Sequence, residues 1–292
     1  MFIILAIIMC FDIITGGLTP GEIGFHGAFG LDYLATGRII GIAILAVISL
    51  FFVTKYKLYK FILLLIIGLF IFNVLVSGGR GPLIALVSSI VFLFIYLGIN
   101  LLKIRRKKFV INKRNFRIIL FMLLFFVLAS FIVMYFSDYF LTIFHRLSLL
   151  ENLEGSSIET RLKLYNTAIN SIKNFPRNIV GLGIGGFSVV YNGYDAPRGI
   201  YPHNIFLEIA SELGFLALCA FIFIVYKSIA IVLSSIKKSK IEWDYYINIS
   251  LLTMLIFMLI NSSVSGDIND NRLLFNILGL IYAYRRILSN ES

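Results

Sequence analysis

Three side chains in a very apolar chain are of types that can do chemistry together: Arg80 in "VSGGRGP", Arg161 in "SSIETRLKLYNTAINSIKN" and His203 in "GIYPHNIFLEIASELGFLAL". A guanidinium presents a planar fork that holds phosphate or carboxylate oxygens in pairs. An imidazole changes charge near neutrality and can take a proton from a hydroxyl. Singly, each residue has a plainer explanation. Arg80 lies between two apolar runs, so its stem can snorkel to an interface. His203 opens an apolar run, with Asn204 beside it as a helix cap. The set gains meaning only if all three lie on one face of a membrane, and the segments that cross the membrane decide that.

Composition fixes the class. Hydrophobic residues make up 59% of the chain and charged residues 14%, with a mean hydropathy of +0.94, values that belong to an integral membrane protein. Apolar runs near residues 1–15, 39–54, 61–76, 83–102, 118–136, 205–233, 245–264 and 273–288 predict eight spans, the first of them short. The expected fold is an all-α polytopic transmembrane bundle: spans one to five over 1–136, a large extracytoplasmic loop over 137–204, and spans six to eight over 205–292. Orientation follows from charge. With "KIRRKKFVINKRNFR" inside, "KYKLYK", "KKSK" and "YRR" also fall inside. Asp32, Asp138, Glu151, Glu154, Glu159, Asp195, Asp267 and Asp270 fall outside. The net charge of +11 is thus explained by topology and by contact with anionic lipid, and implies no nucleic acid. Cys10 and Cys219 lie in apolar spans without metal-ligand spacing.

Two elements position the candidates in the outer segment. Ile158, Leu162, Tyr165, Ile169 and Ile172 recur at helical spacing, and Ser156 with Glu159 has capping-box spacing. This predicts an amphipathic helix on the membrane surface or on the bundle, carrying Arg161 in its first turns and ending before Pro176. The run "GLGIGGF" lacks the strand and helix context of a dinucleotide site. Its glycines suit a tight turn or a close backbone approach to a ligand or a neighbouring helix.

The ordered set of Arg161, Tyr165 and Ala168, then "GLGIGGF", "PHNIFLEIASELG" and "SGDINDNRLLFNILGL", resembles the O-antigen ligase and polymerase family over roughly residues 75–285. The resemblance implies a polytopic glycosyltransferase of the bacterial cytoplasmic membrane. Such an enzyme moves a glycan from a polyprenyl (undecaprenyl) diphosphate carrier to a glycan or lipid-glycan acceptor at the outer face, with no cofactor. It also implies that Arg80 and Arg161 contact the diphosphate and that His203 is the family's histidine. Tyr165 stands where many members carry Trp, and several amino-terminal spans of the family pattern are missing, as in a truncated chain.

A leaving diphosphate concentrates negative charge that two guanidinium forks can stabilise without a metal. The substrate-contacting candidates are Tyr165, Gly183, Gly185, Asn204, Glu208, Asp267 and Arg272. Glu208 and Glu212 lie one turn apart, which suits either polarity at a helix interface or acceptor binding. A solvated turn accounts for Asp267, Asp270 and Arg272 nearly as well as a site does. His145 with Arg146 is a second pair, and His26 has no evident partner. Polymerase is slightly favoured over ligase. A lipid-linked glycan transporter and a non-catalytic partner of an envelope polysaccharide assembly complex are the alternatives; polar residues gathered at one face rather than along the spans speak against transport.

Overall fold

The computed structural model describes residues 2–15, 27–101, 156–173, 177–193, 199–239 and 241–290, and every regular element among them is helical. Lipid offers backbone amides and carbonyls no partners, and a helix satisfies them within one segment. The expected span near 118–136, the basic stretch before it, His26, His145 and Arg146 lie outside the described residues. The chain divides into two units, Met1–His145 and Arg146–Ser292.

The first unit contains α1 (Phe2–Thr15), α2 (Tyr33–Val53), α3 (Lys57–Ser77) and α4 (Arg80–Leu101). Asp32 caps α2 by accepting the Ala35 N–H, placing a carboxylate at the positive helix end. Because α2 begins at Tyr33 rather than near residue 39, Arg38 lies within the helix, where it is 2% exposed. This buried cation escaped the hydropathy pattern. Gly78 ends α3 with φ 70°, a conformation glycine adopts without a Cβ clash. Only Gly78 and Gly79 separate α3 from α4, so the turn is tighter than the roughly six residues expected, and half-buried Arg80 stands in the first turn of α4. A Cβ on Gly37 of α2 would come within 2.9 Å of Pro82, which brings α2 against α4 at the end that carries Arg80.

The second unit contains α5 (Ser156–Ile172), α6 (Arg177–Val180), α7 (Gly186–Asn192), α8 (Ile205–Glu208), a π-helical turn at Ile209–Leu213, α9 (Gly214–Lys238), α10 (Glu242–Val264) and α11 (Arg272–Asn290). Helices α9, α10 and α11 pack on one another. Polar side chains buried in α10 bond back to their own helix: Asn248 to Asp244 O at 2.7 Å, Thr253 to Ile249 O at 3.0 Å and Asn261 to Phe257 O at 2.9 Å. Their donors therefore cost little inside an apolar bundle.

Among the described residues, five stretches are long and apolar enough to cross a membrane: Tyr33–Val53, Lys57–Ser77, Arg80–Gly98, Ile205–Lys238 and Glu242–Val264. The first expected span is realised as the shorter apolar helix α1. Helix α11 occupies the place of the eighth without being one of the five.

Candidate functional site

His203 lies between Pro202 and the start of α8 with φ 54°, one of two described non-glycine residues in the left-handed region. That conformation costs on the order of 1–3 kcal/mol unless its surroundings impose it. Asn204 imposes much of it. Its side-chain oxygen accepts from Phe206 N at 3.0 Å and Leu207 N at 3.2 Å, the expected cap, while its amide donates to Ser263 O in the last turn of α10 at 3.0 Å. Asn204 thus both caps α8 and straps it to α10. The His203 ring packs at 4.3 Å between centroids on Tyr201, tilted by 53°. It is half-buried, and its Nδ1 is buried with no hydrogen-bond partner.

Arg161 reaches the same neighbourhood from α5. Leu164 and Ala168 are buried against Phe187 of α7, with Tyr191, Ile200 and Leu207 packed around them. This small core holds α5 and α7 to the chain entering α8, and it keeps Arg161 one turn ahead of Leu164 on the packed side. The apolar stripe read from the sequence is not that packed face. Leu162 and Ile169 are 54% and 42% exposed, whereas Leu164, Ala168 and Ser171 are buried. Two adjacent faces of α5 carry apolar side chains, and the one with Leu164 and Ala168 is the one that packs. Tyr165, between the two faces, is half-buried. Glu159 pairs with Lys163 at 2.8 Å. Arg161 pairs with no carboxylate among the described residues, and its charge is felt at His203. Burial first, and the Arg161 guanidinium second, hold the His203 imidazole below its ordinary range.

The glycine run is a clamp. Leu182 N donates to Ser211 O at 2.8 Å and Gly183 N to Glu212 O at 2.9 Å, using carbonyls in the π-helical turn. The Glu212 carboxylate accepts from Phe187 N at 3.3 Å and from the Gly185 N–H. The amides of Gly183 and Gly185, expected to contact substrate, are therefore engaged within the protein. Glu212 thus meets backbone amides of α7 and the glycine run. Backbones meet so closely here that a Cβ on Gly181 (φ 78°) would lie 2.2 Å from Glu212 O, and one on Gly214 (φ 85°) 2.1 Å from Ile179 O. Gly181→Ala is expected to destabilise the protein by at least about 1–3 kcal/mol, lowering the thermal midpoint in lipid discs. Gly279→Ala, where a Cβ meets nothing within 4 Å, is the control and should leave the midpoint unchanged or slightly raised.

Glu208 is 4% exposed. Its Oε1 accepts from Ile268 N at 3.2 Å, which ties α8 to the loop between α10 and α11, and Asp267 and Asp270 are within electrostatic reach. That loop closes on itself. Asp267 Oδ1 accepts from Asp270 N at 2.6 Å, Asn271 Nδ2 donates to Asp267 O at 2.7 Å, and exposed Arg272 donates from Nε to Asn269 O at 2.9 Å. The turn itself thus accounts for these contacts of Asp267 and Arg272. The second unit brings Arg161 within electrostatic reach of His203, with Glu208 in the short helix that follows His203, while Arg80 lies in the first unit. Among the described residues, no three His, Cys, Asp or Glu side chains gather closely enough to hold a metal ion.

Residues 65–222, more than half of the chain, match a family model described as O-antigen ligase. No curated protein matches the chain.

Proposed function

Because this chain belongs to the O-antigen ligase family, we propose that it transfers or polymerises oligosaccharide units from a polyprenyl diphosphate carrier at the outer face of the bacterial cytoplasmic membrane. The observation that carries this reading is His203: a half-buried imidazole in a strained backbone conformation, with Nδ1 unpartnered and a cation near enough to favour its neutral form. In the reaction, His203 takes the proton of an acceptor hydroxyl. The freed oxygen attacks the anomeric carbon, the bond from that carbon to the diphosphate oxygen breaks, and the lipid diphosphate leaves with its charge held by Arg161 and Arg80. One displacement inverts the anomeric configuration. No metal is required, since the guanidinium forks neutralise the leaving group.

The clamp made by Glu212 and the glycines serves this site by position, holding α7 and the small core that orients Arg161. Exposed Leu162 and Ile169 give α5 an apolar face for the bilayer surface, where a lipid-linked donor must present its headgroup. Polymerase is slightly favoured over ligase. Both use the same donor and differ only in the acceptor.

The reading requires residues 137–204 to lie outside. Cysteine placed at Ser157 or Asn192 should react with an impermeant thiol reagent in intact cells, or in spheroplasts where an outer layer blocks access. Labelling that appears only after lysis would reverse the topology and remove the site from its donor.

A further inference from the structure

We propose that Glu208 Oε2 and Ser265 Oγ form the subsite that holds hydroxyl groups of the acceptor glycan beside His203. Both side chains are more than nine-tenths buried, at 4% and 3% exposure. Glu208 Oε2 and Ser265 Oγ, like His203 Nδ1, are buried without a hydrogen-bond partner. A buried polar atom left unpaired costs free energy comparable to a lost hydrogen bond, so each of these atoms calls for an explanation.

The elements that gather these atoms are themselves tied together. Asn204, next to His203, donates to Ser263 O at 3.0 Å, and Glu208 Oε1 accepts from Ile268 N at 3.2 Å. The loop carrying Ser265 is therefore fastened on both sides of that residue to the segment carrying His203 and Glu208. Glu208 differs from Glu212 in this respect, because Glu212 meets backbone amides of α7 and the glycine run. What remains at Glu208 Oε2 and Ser265 Oγ is acceptor capacity, with one rotatable hydroxyl donor. That pairing suits the hydroxyl groups of a polyol.

This assignment rests on the glycan-transfer reading and is tested apart from it by binding. The probe is the tritiated oligosaccharide released by mild acid from the lipid-linked glycan of the producing cell. It retains the hydroxyls and lacks the diphosphate. Binding is measured at equilibrium with the full-length protein in lipid discs. Glu208→Gln keeps an oxygen for Ile268 and places an amide where Oε2 stood. It should weaken binding roughly two- to tenfold, as expected for the loss of one hydrogen bond. Ser265→Ala should weaken binding by roughly two- to tenfold. Equal binding by wild type and both variants, or no binding by wild type, overturns the subsite. His203→Ala transfer is scored separately: full turnover there would refute the base while leaving a binding loss in Glu208→Gln to stand.

Discussion

Replacing His203 by alanine should cut glycan transfer by about 10²–10⁴ fold, the usual contribution of a positioned general base, in protein that still inserts and folds. The expectation rests on geometry and on charge. The left-handed backbone at His203 is held by the Asn204 cap and its strap to Ser263, neither of which needs the imidazole, so the ring can be removed with its surroundings intact. Transfer by the wild type should depend on pH with a defined sign. The base works when neutral, so activity rises with pH through the His203 pKa. Burial and Arg161 place that pKa below the ordinary value of 6.5, so the acid limb lies on the acid side of 6.5. Arg161→Gln removes one of the two causes and should move the limb upward in whatever activity remains. The same depression sets a stability trend. The unfolded chain binds the proton first, so this contribution is present above about pH 6.5 and is lost as pH falls through the folded value. Near-normal turnover by stably inserted His203→Ala would mean that the ring only packs on Tyr201.

What the sequence made legible was mostly local. Apolar runs located α2, α3, α4, α9 and α10, because a span is defined by its own length and hydropathy. Asn204 was recognisable as a cap because capping involves residues two and three positions away. What stayed hidden depends on residues distant in the chain. The glycines of "GLGIGGF" were consistent with a turn, a ligand or a neighbouring backbone, and only the pairing with Ser211 and Glu212 chose the last. Periodicity found an apolar stripe on α5 but could not tell which of two adjacent apolar faces packs, since Leu164 and Ala168 pack on Phe187 of another helix. Ser265 belongs to no spacing pattern and its burial is visible only in the fold, and Arg38 was missed because its helix starts before the hydropathy rises.

Arg80 and Arg161 should each tolerate lysine poorly, and this result separates donor chemistry from membrane anchoring. Substitution by glutamine is expected to lower transfer by about 10²–10³ fold, the usual cost of removing a preorganised donor to developing negative charge. Lysine should restore little, because an ammonium keeps the charge but loses the planar fork. A snorkelling role predicts the opposite, since a long stem with a cationic end is all that anchoring needs. Position favours the first outcome at Arg80. A guanidinium in the first turn of α4 stands at the positive end of a 22-residue helix, where a cation gains nothing from the dipole and an anion is attracted by both. At Arg161 the evidence is different. The side chain stands on the packed side of α5, without a carboxylate partner among the described residues, and its field reaches the proposed base. In the proposed mechanism the lipid diphosphate supplies the counter-charge to Arg161 in the bound state. Transfer by the wild type is accordingly expected to persist in EDTA. Full activity in both lysine variants, or activity lost to EDTA and returned by Mg²⁺, would replace the two-arginine mechanism with a metal-assisted one.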